Sequence, residues 1–147
     1  MFISNSSVKT LSFPKLSNVS GSWGSSLCED MKNLTTLELG ISNNSSFWLA
    51  SNAPDLTKVI LPQFNYVSEK MFYNCSNIKT IVLSNPSNVC TLSNASYLPT
   101  QITNTADTTS YVYVPQALLT NYKTATNWAA LSSKIRAIED YPDITGG

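Results

Sequence analysis

Apolar residues recur along this chain at offsets 0, 3 and 5 of one pattern, and the pattern itself recurs. Ile78, Ile81 and Leu83 carry it, as do Leu56, Val59 and Leu61, then Leu34, Leu37 and Leu39, and near the start Val8, Leu11 and Phe13. The steps between successive first positions are 22, 22 and 26 residues. Other columns keep the same register. Asn5, Met31, Ala53 and Cys75 stand three residues before the first apolar position, Val19, Val67 and Val89 stand eleven after it, and Pro14, Pro62 and Pro115 each follow the last apolar residue of a run. The alternation predicts short strands over Lys9–Phe13, Thr35–Leu39, Lys58–Leu61, Lys79–Leu83 and Tyr111–Val114, with Val112 and Val114 in the inward columns of Val59 and Leu61. Between them, Leu27 to Asn33 predicts a short helical turn and Gly40 to Phe47 an enlarged loop. Ser84 to Thr109 leaves the pattern, with Leu92, Leu98 and Ile102 as its core contacts.

The texture changes at Pro115, which suits the first turn of a helix. Leu118, Leu119 and Tyr122 then share one helical face, and Asn127-Trp128 opens a second helical segment with Leu131 and Ile135 inward. Ile138 ends a short extended piece, and Glu139–Gly147 reads as a polar tail. A period in the low twenties is that of leucine-rich repeats. The expected fold is therefore a β-rich leucine-rich repeat solenoid of about four to five short-strand repeats with a short helical C-terminal cap. Residues 1–114 form the solenoid and 115–147 the cap and tail of one structural domain, Trp128 being the largest covering side chain. Met1 falls at a repeat boundary with no capping element before it. The chain reads either as the C-terminal piece of a longer protein or as one whose first repeat is covered by something else.

Glu69-Lys70-Met71-Phe72-Tyr73-Asn74-Cys75-Ser76-Asn77-Ile78-Lys79-Thr80-Ile81 resembles the F-x-x-C-s-s-L-x-x-I consensus of BspA-type leucine-rich repeats. Tyr111-Val-Tyr-Val-Pro through Tyr122-Lys-Thr-Ala-Thr-Asn-Trp128 resembles the Y-V-P…Y-K-x-A-x-N-W ending of such proteins. The first two repeats depart from the consensus, with Asn5 and Met31 in its Cys column and Cys28 in its Phe column. The resemblance implies a right-handed solenoid with one short strand per turn. It implies adhesion or protein binding on a bacterial surface or in a virion, phage tails included, and no enzymatic activity. It carries over no catalytic residue.

Composition narrows the chemistry. Charged residues are 12% of the chain against about 25% in an ordinary globular protein, and Ser, Thr and Asn fill about a third of it. Short polar side chains that hydrogen-bond nearby backbone suit a structure of many turns. Nine basic and nine acidic residues balance, and no basic run offers a phosphate footprint, which disfavours nucleic acid as a partner. No apolar run is long enough for a transmembrane helix, and the first residues have no secretory signal pattern. The chain has no histidine, so nucleophilic catalysis lacks its usual base and zinc its usual ligand. Cys28, Cys75 and Cys90 are odd in number, irregularly spaced, and fall in apolar columns, so they read as buried small hydrophobes. No cofactor or metal is expected; Glu139, Asp140 and Asp143 read as solvated.

Strand alternation supplies the binding candidates. Offsets 2 and 4 face away from the core. This places Ile60, Val82 and Tyr113 as an apolar stripe on an open sheet face, flanked by Lys58, Thr80 and Glu38. Such a stripe would bind a protein partner or a second copy of the chain. Trp23, Trp48 and Tyr66, expected in or near loops, would stack on sugar rings in a glycan-binding alternative. A further alternative is structural assembly of a phage tail or other virion particle.

Overall fold

The computed structural model describes residues 7–16, 25–42 and 47–145. Within them the chain is rich in short strands: β1 Thr10–Phe13, β2 Ser25–Glu29, β3 Thr36–Leu39, β4 Phe47–Ser51, β5 Lys58–Ile60, β6 Tyr66–Val67, β7 Phe72–Tyr73, β8 Thr80–Val82, β9 Thr91–Leu92, β10 Tyr111–Val114 and β11 Ile135–Ala137. Helices are few and short, namely α1 Thr100–Thr103 and α2 Leu119–Thr124, with 3-10 turns at Ala95–Tyr97, Gln116–Leu118, Ala129–Lys134 and Ile138–Asp140. Among the described residues no sheet closes into a barrel. The largest sheet has the order β1-β3-β5-β8-β10-β11, a second has β2-β4-β7 and a third β6-β9. Every pairing is parallel.

Register follows the sequence columns. Leu11, Leu37, Val59, Ile81 and Val112 lie side by side across the large sheet, and all but Leu11 are buried. Leu34, Leu56 and Ile78 are fully buried beside them, as are Leu39, Leu61, Leu83 and Val114. The five predicted strands are all present with ends within a residue or so. Phe13 differs from its column: it pairs with buried Leu39 yet is 44% exposed, because β1 is the first strand of the sheet.

Two expectations are corrected and a third is refined. Leu27 to Asn33 does not begin as a helical turn; Leu27 and Cys28 lie in β2. The spacing of Leu27, Met31 and Leu34 imitates a helical face, but β2 gains its hydrogen bonds from β4, a long-range partner that local periodicity cannot reveal. Trp48 and Tyr66 lie in strands β4 and β6 rather than loops. At the polar tail, Ile138 and Ile144 pack on the large sheet and Tyr141 meets Tyr113, while Glu139, Asp140 and Asp143 stay exposed as expected.

Polar side chains tie neighbouring strand layers together. Asn74 Nδ2 donates to Asn52 Oδ1 (2.8 Å), Asn77 Nδ2 to Pro54 O (2.7 Å) and Asn85 Nδ2 to Gln63 O (3.3 Å). The Thr35 and Thr57 hydroxyls donate to the carbonyls of Lys9 and Thr35. Each bond reaches back 22 to 26 residues, which gives the Ser/Thr/Asn-rich composition its structural use. Asp30, Asn52 and Asn74 all have φ near +55°, the left-handed turn conformation that Asp and Asn tolerate best among residues with a Cβ. Gly40 serves a different need: a Cβ there would collide with the carbonyl of Pro14.

The C-terminal helical segment is anchored by the residues of the sequence ending. Tyr122 and Trp128 are buried with their rings edge to face at 5.4 Å. The Trp128 indole N–H donates to Cys90 O (2.7 Å), the Cys90 N–H donates to the Tyr122 hydroxyl (2.7 Å), and Asn127 Nδ2 donates to Leu92 O (2.7 Å). These bonds satisfy the backbone at β9 while two aromatic rings cover the core. Leu92, Leu98, Ile102, Leu131 and Ile135 are buried as expected.

Candidate functional site

The sheet-face stripe exists, but it is not open. Ile60, Val82 and Tyr113 are adjacent in register on β5, β8 and β10 and form their own apolar cluster, separate from the main core. Tyr111, Ile138 and Ile144 pack against it, and Tyr141 meets Tyr113 edge to face at 5.2 Å. All three stripe residues are buried, and burial raises the Tyr113 phenol's pKa. The covering segment holds its turns with bonds from Tyr141 N to Ile138 O and from Ile144 N to Tyr141 O. Glu139 Oε2 accepts the Gln116 N–H (2.7 Å), fixing the segment beside α2's lead-in turn. The polar flank is where alternation puts it: Lys58 and Thr80 are neighbours in register, both half-buried, and Glu38 accepts from Ser12 Oγ.

A second surface has the features of a binding site. A cleft of about 410 Å³ opens between the turn at residues 69–76 and the segment 96–100, within the range of small-ligand pockets. Phe72 points into the core and Tyr73, next in β7, points out and is 46% exposed. Tyr73 stacks obliquely on Trp48 of the neighbouring β4, with centroids 5.1 Å apart and planes inclined by 38°. The Lys70 ammonium lies 5.7 Å from the Trp48 ring centre and 5.9 Å from that of Tyr73. Lys70 has φ 60°, a strained conformation for a residue that is neither Gly nor Asn, and such strain gathers at functional sites. Tyr97 lines the opposite wall with Ser96 and Thr100, and Glu69, Asn74 and Ser76 complete the near wall. Asn94 holds the opposite wall in shape, its Oδ1 accepting from the Ser96 N–H and hydroxyl.

Of the loop-aromatic candidates, Trp48 packs against Tyr73 and Lys70 without itself lining the cleft. Tyr66 does not line the cleft; its phenol oxygen accepts from Ser93 Oγ (2.8 Å). Trp23 lies outside the described residues. Tyr73, Tyr97 and Lys70 were missed by strand alternation along the large sheet because they belong to other elements. Their signal was the Phe72-Tyr73 pair, where one aromatic fills a core column and the next must face out.

The remaining reactive groups are occupied. Burial pushes the Cys28 and Cys90 thiols up to about 12, and raises Cys75 as well, so all three are poor nucleophiles. Lys134 is 1% exposed, and its ammonium donates to Asn104 O (3.0 Å), Asp107 O (2.6 Å) and Ser110 Oγ (2.8 Å). Desolvation lowers its pKa against the opposing pull of the Asp107 carboxylate. Asp107 itself is held below the usual carboxylate range by the Thr109 hydroxyl and N–H. Among the described residues no group of three His, Cys, Asp or Glu is placed to hold a metal ion, and no helix is long and apolar enough to cross a membrane. No protein-family model, curated protein or solved structure matches the chain.

Proposed function

We propose that this chain is a leucine-rich repeat solenoid of the BspA type, acting as a non-catalytic interaction module on a bacterial surface or a virion, and that it binds through the cleft beside Tyr73. The fold part rests on parallel strands in register, β3, β5 and β8 at 22-residue intervals, and on the anchoring of Tyr122, Asn127 and Trp128. The functional part rests on one observation above the others: a half-exposed Tyr73 stacked on Trp48 at the mouth of a cleft. A half-exposed ring held in place by a neighbouring ring is a preorganised contact surface for a ligand. Buried thiols, an engaged Lys134 and the lack of histidine support the non-catalytic reading. The sheet-face stripe is a poorer docking surface because Ile138, Tyr141 and Ile144 already occupy it.

The reading is tested with the fluorescently labelled chain on whole bacterial and epithelial cells, scored by flow cytometry. Saturable binding should fall sharply with Tyr73→Ala and with Trp48→Ala, and stay unchanged with Thr120→Ala on the exposed side of α2. Binding that is absent, or indifferent to both aromatic variants, overturns it.

Assembly is the second reading, and the exposure of Phe13 favours it. β1 is the first strand of the large sheet and pairs only with β3 among the described residues.

A further inference from the structure

The cleft's chemistry identifies the class of ligand. Tyr73 lines the cleft with its ring held against Trp48 of the neighbouring strand, and Tyr97 stands on the other wall. Aromatic faces accept the C–H patches of a pyranose ring as they accept other weakly polarised apolar surface. Around them stand Asn74, Ser76, Ser96 and Thr100, short neutral polar side chains; the Ser96 hydroxyl, donating to Asn94, keeps its acceptor capacity for a ligand. A hydroxyl-rich ligand needs that rim, whereas an apolar peptide anchor would leave it unpaired, at a cost for each buried group. Glu69 and Lys70 cancel in charge at one end, so the cleft has no cationic excess with which to hold a phosphate or a polyanion.

The frame is rigid where a sugar would have to be oriented. Left-handed backbone at Lys70 and Asn74 fixes the turn on one side, and Asn74 is further tied to Asn52. Lys70 is drawn over both rings, so its ammonium borders the stacking surface as a donor for a ring hydroxyl.

We propose that this cleft is a saccharide-binding site, with Tyr73, held in place by Trp48, as the stacking ring and Asn74, Ser96 and Thr100 as the hydroxyl-reading rim. The inference rests on the interaction-module reading and narrows it to one class of ligand.

The full chain is applied to an array of bacterial and mammalian glycans, and each saccharide bound there is titrated by saturation-transfer NMR. Tyr73→Ala and Trp48→Ala should each weaken binding on the order of tenfold or more, as expected for loss of one stacked ring. Tyr73→Phe should retain it, because the ring face and not the phenol does the stacking, and Thr120→Ala should leave it unchanged. Tyr73 is half-exposed, so its truncation spares the core, and circular dichroism of each variant verifies folding. No saccharide bound, or binding that the two alanine variants leave intact, overturns the inference. Periodate oxidation of the cells used above separates the two failures. Tyr73-dependent cell binding that survives periodate retains the interaction module and removes the sugar, whereas cell binding independent of Tyr73 removes the module's site itself.

Discussion

Lys134 carries a positive charge into the protein for a structural reason. Its ammonium closes the irregular stretch 101–110 by drawing three backbone carbonyls, those of Gln101, Asn104 and Asp107, and the Ser110 hydroxyl to one point, and its charge faces the Tyr111 ring at 5.5 Å. A lysine has three N–H donors, and all three are spent here. Lys134→Met keeps the length and removes the charge, so it leaves the Asn104 and Asp107 carbonyls without their donor. The expected loss is about 2–4 kcal/mol of unfolding free energy in urea, with faster amide exchange confined to residues 101–110. A variant as stable as the parent would show that solvent replaces the ammonium without cost. Gly40 is decided by sterics instead: with Pro14 O in the way of any Cβ, Gly40→Ala should cost about 1–3 kcal/mol in the same measurement.

Among the elements, the segment 138–145 changes the meaning of the sheet it covers. Strand alternation puts Ile60, Val82 and Tyr113 on the outer face of the large sheet, and in a lone sheet that face would be open. Here Ile138, Tyr141 and Ile144 return to cover it. Ending the chain at Ala137 should therefore uncover an apolar stripe, increase binding of a hydrophobic dye and promote self-association. The double variant Ile60→Asp/Val82→Asp should fold poorly even as a monomer, because two carboxylates would enter a buried cluster without partners. A well-folded, monomeric double variant would mean that the segment lies loosely on the sheet in solution.

At the scale of the whole molecule, the two ends of the large sheet are treated differently. β11 closes one end by pairing with β10, and α2 packs beside it. At the other end Phe13 remains 44% exposed on β1. If the chain assembles, the contact should run through that edge. Light scattering of the purified chain should then give an oligomer that Phe13→Glu converts to monomer. A monomeric parent removes assembly as a role for this surface and leaves ligand binding at the cleft.

Reading the residues in order was enough to define the strand columns, the buried cysteines and the aromatic residues that cover the core near Trp128. These depend on local alternation and on a 22-residue period, and both are written in the spacing of Leu, Ile and Val. The ending Tyr122, Asn127 and Trp128 was visible as a motif, though its bonds to Cys90 and Leu92 were not. Only the tertiary structure decided what was accessible. Burial of Ile60, Val82 and Tyr113 depends on a segment 25 or more residues away in sequence folding back over them, and no local pattern encodes that contact. The meeting of Lys70, Tyr73 and Tyr97 at one cleft, with Trp48 against Tyr73, likewise depends on β4 lying beside β7 and on residues 96–100 facing the turn before β8. Spacing along a chain fixes which side chains face inward from their own strand. Which outward side chains meet one another, and which remain in water, is set by how distant strands and turns come to lie side by side.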